Sequence, residues 1–259
     1  MFQAISMAAT GLRHQQMRMD SIANNISNAN TIAFKNARMD FRTAMYTTGR
    51  TPGPTRNPQE NQQTGHGVMV AGNSRDWRGG SMQRTERQLD FSIENEGFFV
   101  IQNPDGSQMF TRDGSFALSA EPGGGLYLTN SQGLYVLGAD SQRIGLPAGT
   151  TEMEVDTNGN IRFTRGSDVL GTGTIGVVTF RNLKGLESVG NSNFAAGASA
   201  GEMLPATNAI VRQGTLEMSN VNLSEEMTRI IRTQRAFQLA SRALTTADEM
   251  EGIANNMRR

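Results

Sequence analysis

The sequence has 259 residues, enough for one large domain or for a domain with a smaller second unit. Lys plus Arg and Asp plus Glu number 24 each, so the net charge is zero and no long-range field attracts nucleic acid or an anionic membrane. Cysteine is absent, which excludes disulfides, thiolate metal sites and a cysteine nucleophile. Because the sequence has neither a long apolar run nor a secretory signal, we expect no membrane span and no Sec-type export.

The N-terminal segment, residues 1–45, has the periodicity of a helix that packs against another helix. Apolar residues recur every seven positions, at Ile5, Leu12, Met19 and Ile26. Ile22 occupies the other seam position of the same heptads. We predict a helix of roughly 25 to 35 residues, which is about 40 to 50 Å long. The apolar stripe needs a partner surface that covers it, because exposure of apolar side chains to water is unfavourable.

The stretch "IANNISNANTIAFK", Ile22 to Lys35, places several asparagines at the end of this helix, although asparagine is a mediocre helix former. We expect Asn28 or Asn30 to end the helix in a left-handed conformation. Ile32 and Phe34 would then anchor the departing chain on an apolar surface.

Residues 46–75 are predicted to be a linker or an extended loop. The part from Thr47 to Gly67 contains three prolines and almost no apolar side chains, so it forms no ordinary core element. Two interpretations remain open, a passive tether and a segment that becomes ordered only against neighbouring subunits.

Residues 76–214 change from the helical period to the period of strands. "FFVIQNPDGSQMFTRDGSFAL" and "GLYLTNSQGLYVLG" contain short apolar runs separated by turn residues, as consecutive hairpins do. Further short runs follow at 153–155, 161–164 and 175–180. Turns every eight to twelve residues are typical of an all-β sandwich or a barrel-like domain.

Residues 215–259 predict a second long helix. Apolar residues again recur every seven positions, at Leu223, Ile230, Phe237 and Leu244, and the apolar stripe continues to the end of the helix through Ala240, Ala247, Met250, Ala254 and Met257. Ser224, followed by Glu225 and Glu226, is the predicted cap. The fold class is therefore α+β, with discontinuous N- and C-terminal helices that pair as a coiled-coil-like unit and a central all-β domain.

Two glycine- and aspartate-containing motifs do not predict ligand sites. "GTGTIG", residues 171–176, matches a dinucleotide pattern but leads into the strand-like "VVTF", where a phosphate site needs a helix N-terminus. "DTNGN", residues 156–160, begins like a calcium loop, yet Ile161 occupies its sixth position, so we predict a β-turn. We expect no cofactor and no metal.

The titratable residues do not assemble into a catalytic constellation. His14 and His66 are the two histidines, one on a predicted helix and one in a loop, so neither a metal cluster nor a triad is indicated. Glu94 and Glu96 lie two residues apart in a strand-like run, which favours solvent-facing residues or a turn over a glycosidase pair. The sequence therefore predicts no enzyme.

Long stretches of the chain resemble one family. "SIANNISNANTIAFK" resembles the N-terminal motif of the bacterial flagellar rod and hook family, and "EMSNVNLSEEMTRIIRTQRAFQLASRALTTADEM" resembles its C-terminal motif. "ENEGFFVIQNPDGSQMFTRDGSFAL" and "LTNSQGLYVLG" are similar to the central β domain of that family. The length and the connection "GHGVMVAGNSRDWRGGSMQRTERQLDFSI" are most like distal rod members, while proximal rod, hook-junction and Gram-positive paralogues stay open as alternatives.

The resemblance implies a mechanical function. A rod subunit would polymerise into a tubular drive shaft that carries torque from motor to hook and encloses an export channel. The implied partners are further copies of the chain, proximal rod proteins, the hook protein and, where an outer membrane is present, the bushing rings, with no nucleic acid and no small-molecule substrate. Location in the basal body and export through the flagellar type III apparatus without a cleaved signal peptide are also implied. A cell-wall hydrolase is the contrasting hypothesis.

In a helical assembly, the terminal helices would pair within a subunit and also pack against neighbouring subunits. Asparagine amides between copies could then fix the register, as polar seam residues do in coiled coils. We expect the following residues to make contacts in the assembly: Ile5, Leu12, Met19, Ile22, Asn24, Asn25, Ile26, Asn28, Asn30, Phe34, Leu223, Met227, Ile230, Gln234, Phe237 and Leu244.

Overall fold

The chain forms two compact units. The computed structural model describes residues 2–48, 63–65, 67–121 and 124–257. Unit 1 consists of Met1–Ser27, Ala37–Asp76 and Asn222–Arg259. Unit 2 consists of Asn28–Asn36 and Trp77–Val221. Both long helices belong to unit 1 and the large β domain is unit 2, as expected for the α+β class.

The two helices of unit 1 pack against each other. Helix α1 spans Phe2–Ser27 and helix α2 spans Leu223–Asn256, which are 26 and 34 residues long and match the predicted lengths. Asn25, near the end of α1, contacts Glu226 in the first turn of α2. Because the contact joins the end of one helix to the start of the other, the two helices run in opposite directions.

Helix α1 ends at Ser27, and the left-handed residue beyond it is Ala33, with φ of 55°. The prediction that Asn28 or Asn30 takes this conformation is wrong. Asn28 instead opens a turn, in which its carbonyl accepts a hydrogen bond from the Thr31 N–H at 3.2 Å and its side-chain oxygen accepts one from the Thr31 hydroxyl at 3.1 Å. The asparagine side chain thus stabilises a turn by bonding locally.

The cap of α2 is Asn222, so the prediction of Ser224 is wrong. Asn222 Oδ1 accepts hydrogen bonds from the backbone N–H groups of Ser224 and Glu225, at 3.1 and 3.3 Å. An asparagine at this position satisfies donors that the first helical turn cannot pair internally. Ser224 lies within the helix, where its carbonyl accepts a hydrogen bond from the Thr228 hydroxyl at 2.9 Å.

The described residues of unit 1 also include four strands, β1 Ala37–Thr43, β2 Tyr46–Thr48, β3 Gln63–Gly65 and β4 Val68–Arg75. Strand β1 pairs antiparallel with β4, and β2 pairs antiparallel with β3. The predicted linker therefore contains β2, β3 and β4, and β1 lies in the segment 1–45 that was predicted to be the N-terminal helix. Both predictions are wrong at these strands, because the strands form by pairing with each other, which the composition of the segments does not reveal. Residues 49–62 and His66 lie outside the described residues, so the choice between a tether and a segment ordered by neighbours stays a prediction.

Unit 2 is built from short antiparallel strands. They are β5 Met82–Arg84, β6 Phe91–Glu94, β7 Phe98–Gln102, β8 Gln108–Thr111, β9 Ala117–Ala120, β10 Leu126–Thr129, β11 Tyr135–Val136, β12 Gly145–Leu146, β13 Glu152–Val155, β14 Asn160–Arg165, β15 Asp168–Thr174, β16 Val177–Phe180, β17 Leu186–Gly190, β18 Asn193–Ala196, β19 Met203–Pro205, β20 Ile210–Gln213 and β21 Thr215–Glu217. A 3-10 helix, Leu183–Gly185, precedes β17. The predicted strand runs are thus confirmed, and turns with Gly106 and Gly133 at positive φ join β7 to β8 and β10 to β11 as hairpins. The hairpin predicted at Asp113-Gly114 is wrong, because β8 pairs with β7 and β18 while β9 pairs with β10.

The main sheet of unit 2 has ten strands. Its central order is β12-β10-β11-β7-β8-β18-β17, with β9 on β10, β16 on β7 and β19 on β16. Strands β13, β14 and β15 form a separate meander, while β6 pairs with β20 and β5 with β21. Two apolar clusters fill the interior, one that includes Phe91, Phe99 and Phe163 and another that includes Phe98 and Phe194.

The boundaries of unit 2 differ from the predicted 76–214. The unit includes Asn28–Asn36, which the sequence analysis assigned to the N-terminal helix, and it continues through β21 to Val221. Residues 28–36 belong to unit 2 because the Lys35 side chain is completely buried against Glu217 and the Ala33 N–H donates a hydrogen bond to the Glu217 carbonyl. In the described part of the chain, neither helix is long and apolar enough to span a membrane.

Candidate subunit-assembly surface

A polar contact organises the place where α1, β1 and α2 meet. Asn25 is 1% exposed, and its Nδ2 donates to the carbonyl of Ala37 at 2.8 Å and to Glu226 Oε2 at 3.4 Å. Its Oδ1 accepts a hydrogen bond from the Ala37 N–H at 3.0 Å. The amide therefore pairs with both backbone groups of Ala37, as a neighbouring strand would, and it fixes the start of β1 beside α1.

Glu226 is the buried charge of this contact. Its Oε1 accepts a hydrogen bond from Arg229 Nη1 at 2.7 Å, one turn along α2. The carboxylate lies in the first turn of α2, where the helix dipole favours negative charge. A cation, an amide and the helix dipole thus compensate the cost of burying it.

Several predicted assembly residues are covered within the single chain. Ile22 is 5% exposed, and other members of both seams are half-buried: Leu12, Met19, Ile26, Ile230, Phe237 and Leu244. Thr233, which was not predicted, is also buried on α2. The spacing of these residues is that of two helices in contact. The side chain of Ile5 lies outside the described part of the chain.

The other predicted residues are distributed differently. Leu223, Met227, Gln234 and Asn24 are exposed on the helices. Three more belong to unit 2, where Asn30 is exposed and Asn28 and Phe34 are half-buried. The structure therefore does not bring the predicted set together on one face of unit 1.

Met250 and Met257, predicted to continue the stripe of Leu244, belong instead to a second apolar face of α2. Leu239, Met250, Ile253 and Met257 are exposed, with 65% of Leu239 and 59% of Ile253 accessible to solvent. Their spacings of eleven, three and four residues place them along one line of the helix, and we call these four residues the outer stripe. At 100° per residue, Leu239 lies about 180° around the helix from Ile230. The outer stripe therefore faces away from α1.

Helix α2 also extends past α1. Asn25 of α1 lies beside Glu226, and α1 begins 23 residues before Asn25 at Phe2, so an antiparallel partner on α2 would lie near position 249. Helix α2 continues to Asn256, roughly 10 Å further at 1.5 Å per residue. Part of the outer stripe thus lies on a segment for which α1 is too short.

Unit 1 has almost no apolar core of its own. Among the described residues, Ile22 is its one fully buried apolar side chain, whereas the two large clusters of Phe, Ile, Leu and Val are in unit 2. Apolar side chains of unit 1 remain at its surface instead, including the outer stripe. A folded unit with this distribution gains stability when another surface covers it.

The apparent chemical sites have structural explanations. Residues 171–176 run through β15 towards β16, so they begin no helix, and Gly159 N–H closes a turn onto the Asp156 carbonyl at 2.8 Å, as predicted. Glu94 forms an ion pair with Arg212 at 2.7 Å. His14 packs edge-on against the Phe41 ring, with centroids 5.7 Å apart. In the described ranges, no three potential metal ligands cluster together.

Three family descriptions match the chain. "Flagella basal body rod protein" matches residues 5–35, "Flagellar hook protein FlgE/F/G D1 domain" matches residues 92–163, and "Flagellar basal body rod FlgEFG protein C-terminal" matches residues 212–257. The first and third matches include most of α1 and α2, and the second lies within unit 2. These matches and the two-unit fold define a class, the rod and hook proteins of the bacterial flagellum.

Similar proteins narrow this class. The chain is 36% identical to the flagellar basal-body rod protein FlgG of Borreliella burgdorferi over 100% of both chains. It is 30% identical, again over 100% of both chains, to FlgG and to the flagellar hook-basal body complex protein FlhP of Bacillus subtilis. The chain belongs to the family of flagellar basal-body rod proteins. The resemblance to rod and hook proteins, and to distal rod members in particular, is confirmed.

Proposed function

We propose that the chain is a structural subunit of the distal rod, which polymerises into a tubular drive shaft between motor and hook and leaves an export channel open. No reaction is part of this function. Its partners are further copies of the chain, proximal rod proteins, the hook protein and, where an outer membrane is present, the bushing rings. It reaches the basal body through the flagellar type III apparatus without a cleaved signal.

The distribution of apolar side chains carries this proposal. Unit 2 has its own core, but unit 1 has one fully buried apolar side chain among its described residues and exposes the outer stripe. Helices α1 and α2 pair in a coiled-coil-like manner, and the outer stripe provides α2 with a second seam for a neighbouring subunit. Helix α2 thus uses one face within the subunit and offers the other to a neighbouring copy, and repetition of such a heterologous contact builds a helical polymer.

Substitutions in the outer stripe test contacts between subunits, whereas substitutions in the half-buried seam also change contacts within the subunit. Ile230, Phe237 and Leu244 are half-buried in the single chain, so their replacement perturbs the subunit itself. Leu239 is exposed, and its replacement leaves the folded subunit almost unchanged. Burial of one leucine stabilises a contact by about 1.5–3 kcal/mol, and a charge at the same place adds a desolvation cost.

The decisive experiment compares Leu239→Asp with Gln238→Asp. Gln238 is the next residue, is exposed and points about 100° away from the outer stripe, so it is a matched control on the same helical turn. We expect purified Leu239→Asp to keep the circular dichroism of the wild type and to form at least tenfold fewer rods in sedimentation and electron microscopy. Cells that carry this variant should not swim. Gln238→Asp should polymerise and swim normally.

A specific result would contradict the assembly proposal. If Leu239→Asp is secreted and forms normal rods, the outer stripe makes no contact between subunits. The equal identity to FlgG and FlhP of Bacillus subtilis keeps a hook-junction paralogue as the second candidate. Localisation by electron microscopy of purified basal bodies distinguishes the two, since a distal rod subunit fills the shaft and a junction protein forms a short boundary layer.

A further inference from the structure

Residues 28–36, which we call the lysine segment, lie against the end of β21 and the residues that follow it. The Ala33 N–H donates to the Glu217 carbonyl at 2.8 Å, and the Asn220 N–H donates to the Phe34 carbonyl at 3.3 Å. The Asn36 N–H donates to Asn220 Oδ1 at 2.8 Å. The main chain of residues 33–36 thus both donates hydrogen bonds to residues 217–220 and accepts one from them.

Alternate side chains of the lysine segment enter unit 2. Ala33 and Lys35 are completely buried, while the intervening Phe34 and the flanking Ile32 and Asn36 are half-buried. The two buried side chains flank Phe34 in a segment that forms turns up to Ala33, so its shape is set by those turns and not by a strand. Recognition therefore depends on the side chains at positions 33 and 35.

The pocket for Lys35 has acceptors at its end. Lys35 Nζ donates to Glu217 Oε1 at 2.6 Å and to the Arg78 carbonyl at 2.8 Å, and both charged side chains are 0% exposed. A buried ammonium group is stable only with such partners. Because two acceptors lie at a fixed depth, the pocket fits the length and the charge of lysine.

Residues of unit 2 hold the carboxylate in place without the help of the lysine segment. Glu217 Oε1 accepts a hydrogen bond from the Gly80 N–H at 2.8 Å, and Glu217 Oε2 accepts one from Arg112 Nη1 at 3.2 Å. Arg112 in turn donates to the carbonyls of Gly97 and Asn95, at 2.9 and 2.6 Å. The acceptor for the lysine is therefore fixed by a backbone N–H and by an arginine that two backbone carbonyls hold in place, which is the arrangement of a preformed site.

The site for Ala33 accepts only a small residue. Ala33 has no exposed surface, and its φ of 55° lies in the left-handed region. Larger and branched side chains are disfavoured in that conformation and have no space here. Position 33 therefore requires alanine or glycine, two residues before the lysine.

We infer that unit 2 contains a peptide-binding site that recognises a small residue followed two positions later by lysine, and that residues 28–36 of the same chain fill it. The inference does not depend on the assembly function. Because the lysine segment is joined covalently to the domain, its effective concentration at the site is high and a free peptide cannot compete. Loss of the lysine segment from the site leaves Glu217 and Arg112 partly unpaired, so occupancy stabilises unit 2.

The test empties the site in the full-length chain and refills it. Lys35→Glu places a second carboxylate against Glu217 and releases the lysine segment. A fluorescent peptide with the sequence of residues 28–36 is then titrated, and the single tryptophan, Trp77, reports the melting of unit 2. We expect the peptide to bind Lys35→Glu but not the wild type, and to raise the melting temperature of the variant towards that of the wild type.

Peptides with one change provide the controls. A peptide with methionine in place of Lys35, or with valine in place of Ala33, should bind at least tenfold more weakly. Equal affinity of the three peptides, or no binding to a folded Lys35→Glu chain, would overturn the inference. If Lys35→Glu does not fold, Lys35→Met decides by hydrogen exchange: we expect the Ala33 amide to exchange at least tenfold faster while β7 stays protected, and unchanged protection of Ala33 would refute the site.

Discussion

Replacement of Asn25 by alanine should destabilise unit 1 more than any change to an exposed asparagine. The substitution removes the donor to the Ala37 carbonyl at 2.8 Å and the acceptor of the Ala37 N–H at 3.0 Å. It also removes a contact of the buried Glu226. A polar group that loses its partner inside a protein costs about 1–3 kcal/mol, and Ala37 is half-buried, so we expect a total loss of about 2–4 kcal/mol.

The assay must observe unit 1 separately from unit 2. Urea unfolding followed by far-ultraviolet circular dichroism reports the helices, while Trp77 fluorescence reports the aromatic cluster with Phe98 and Phe194 in unit 2. Asn25→Ala should lower the midpoint of the helical signal and leave the fluorescence transition in place. Asn25→Asp should be at least as damaging, because it brings a second carboxylate towards Glu226.

Asn30→Ala is the matched control, since Asn30 is an exposed amide from the same sequence motif. We expect it to change the free energy of unfolding by less than about 0.5 kcal/mol. If Asn25→Ala is no more destabilising than Asn30→Ala, the Asn25 amide does not hold β1 on α1. The reasoning from its hydrogen bonds would then be refuted.

Two further predictions concern unit 2. Glu217→Gln leaves Lys35 and Arg112 buried without a compensating charge, and we expect the free energy of unfolding, measured by Trp77 fluorescence, to fall by about 3–5 kcal/mol. Hydrogen bonds from the Ser107 hydroxyl and then the Ser107 N–H lower the pKa of Asp105 in the β7–β8 turn. The ionised turn is therefore stabilised above the ordinary pKa of aspartate and loses this stabilisation as the pH falls through the lowered pKa. Ser107→Ala should raise the pKa of Asp105 in an NMR titration.

Periodicity predicted the elements well where one face of an element packs against another element. The seven-residue spacing of Leu12, Met19 and Ile26 predicts α1, and the short apolar runs between turn residues predict the strands of unit 2. Both patterns follow from local geometry, because a helix and a strand repeat their side-chain directions at fixed intervals. The strands β1 to β4 were missed, since they form by pairing with each other and not by a local pattern of apolar residues.

The polar residues that organise the fold could not be assigned from the sequence. Lys35 ends an apolar run, "IAF", and Glu217 lies in "TLEM", where neither residue indicates a buried partner 182 positions away. Asn25 was expected to contact other subunits, and that expectation stays untested, but within the chain its amide already pairs with Ala37. A charged or amide side chain in an apolar context is a signal, although only the tertiary fold identifies its partner.

The heptad spacing on α2 raises a related ambiguity, because a long helix can have two seams with the same spacing. Ile230, Phe237 and Leu244 repeat every seven residues and are half-buried, whereas Leu239, Met250, Ile253 and Met257 follow a similar rhythm on the opposite face and are exposed. The spacing of apolar residues along the sequence does not identify the face of α2 that packs against α1, because both faces have a helical spacing. Solvent exposure separates them. A residue that is already covered in the subunit contributes little new buried area to a polymer, so contacts between subunits must depend mainly on the face that the subunit leaves open.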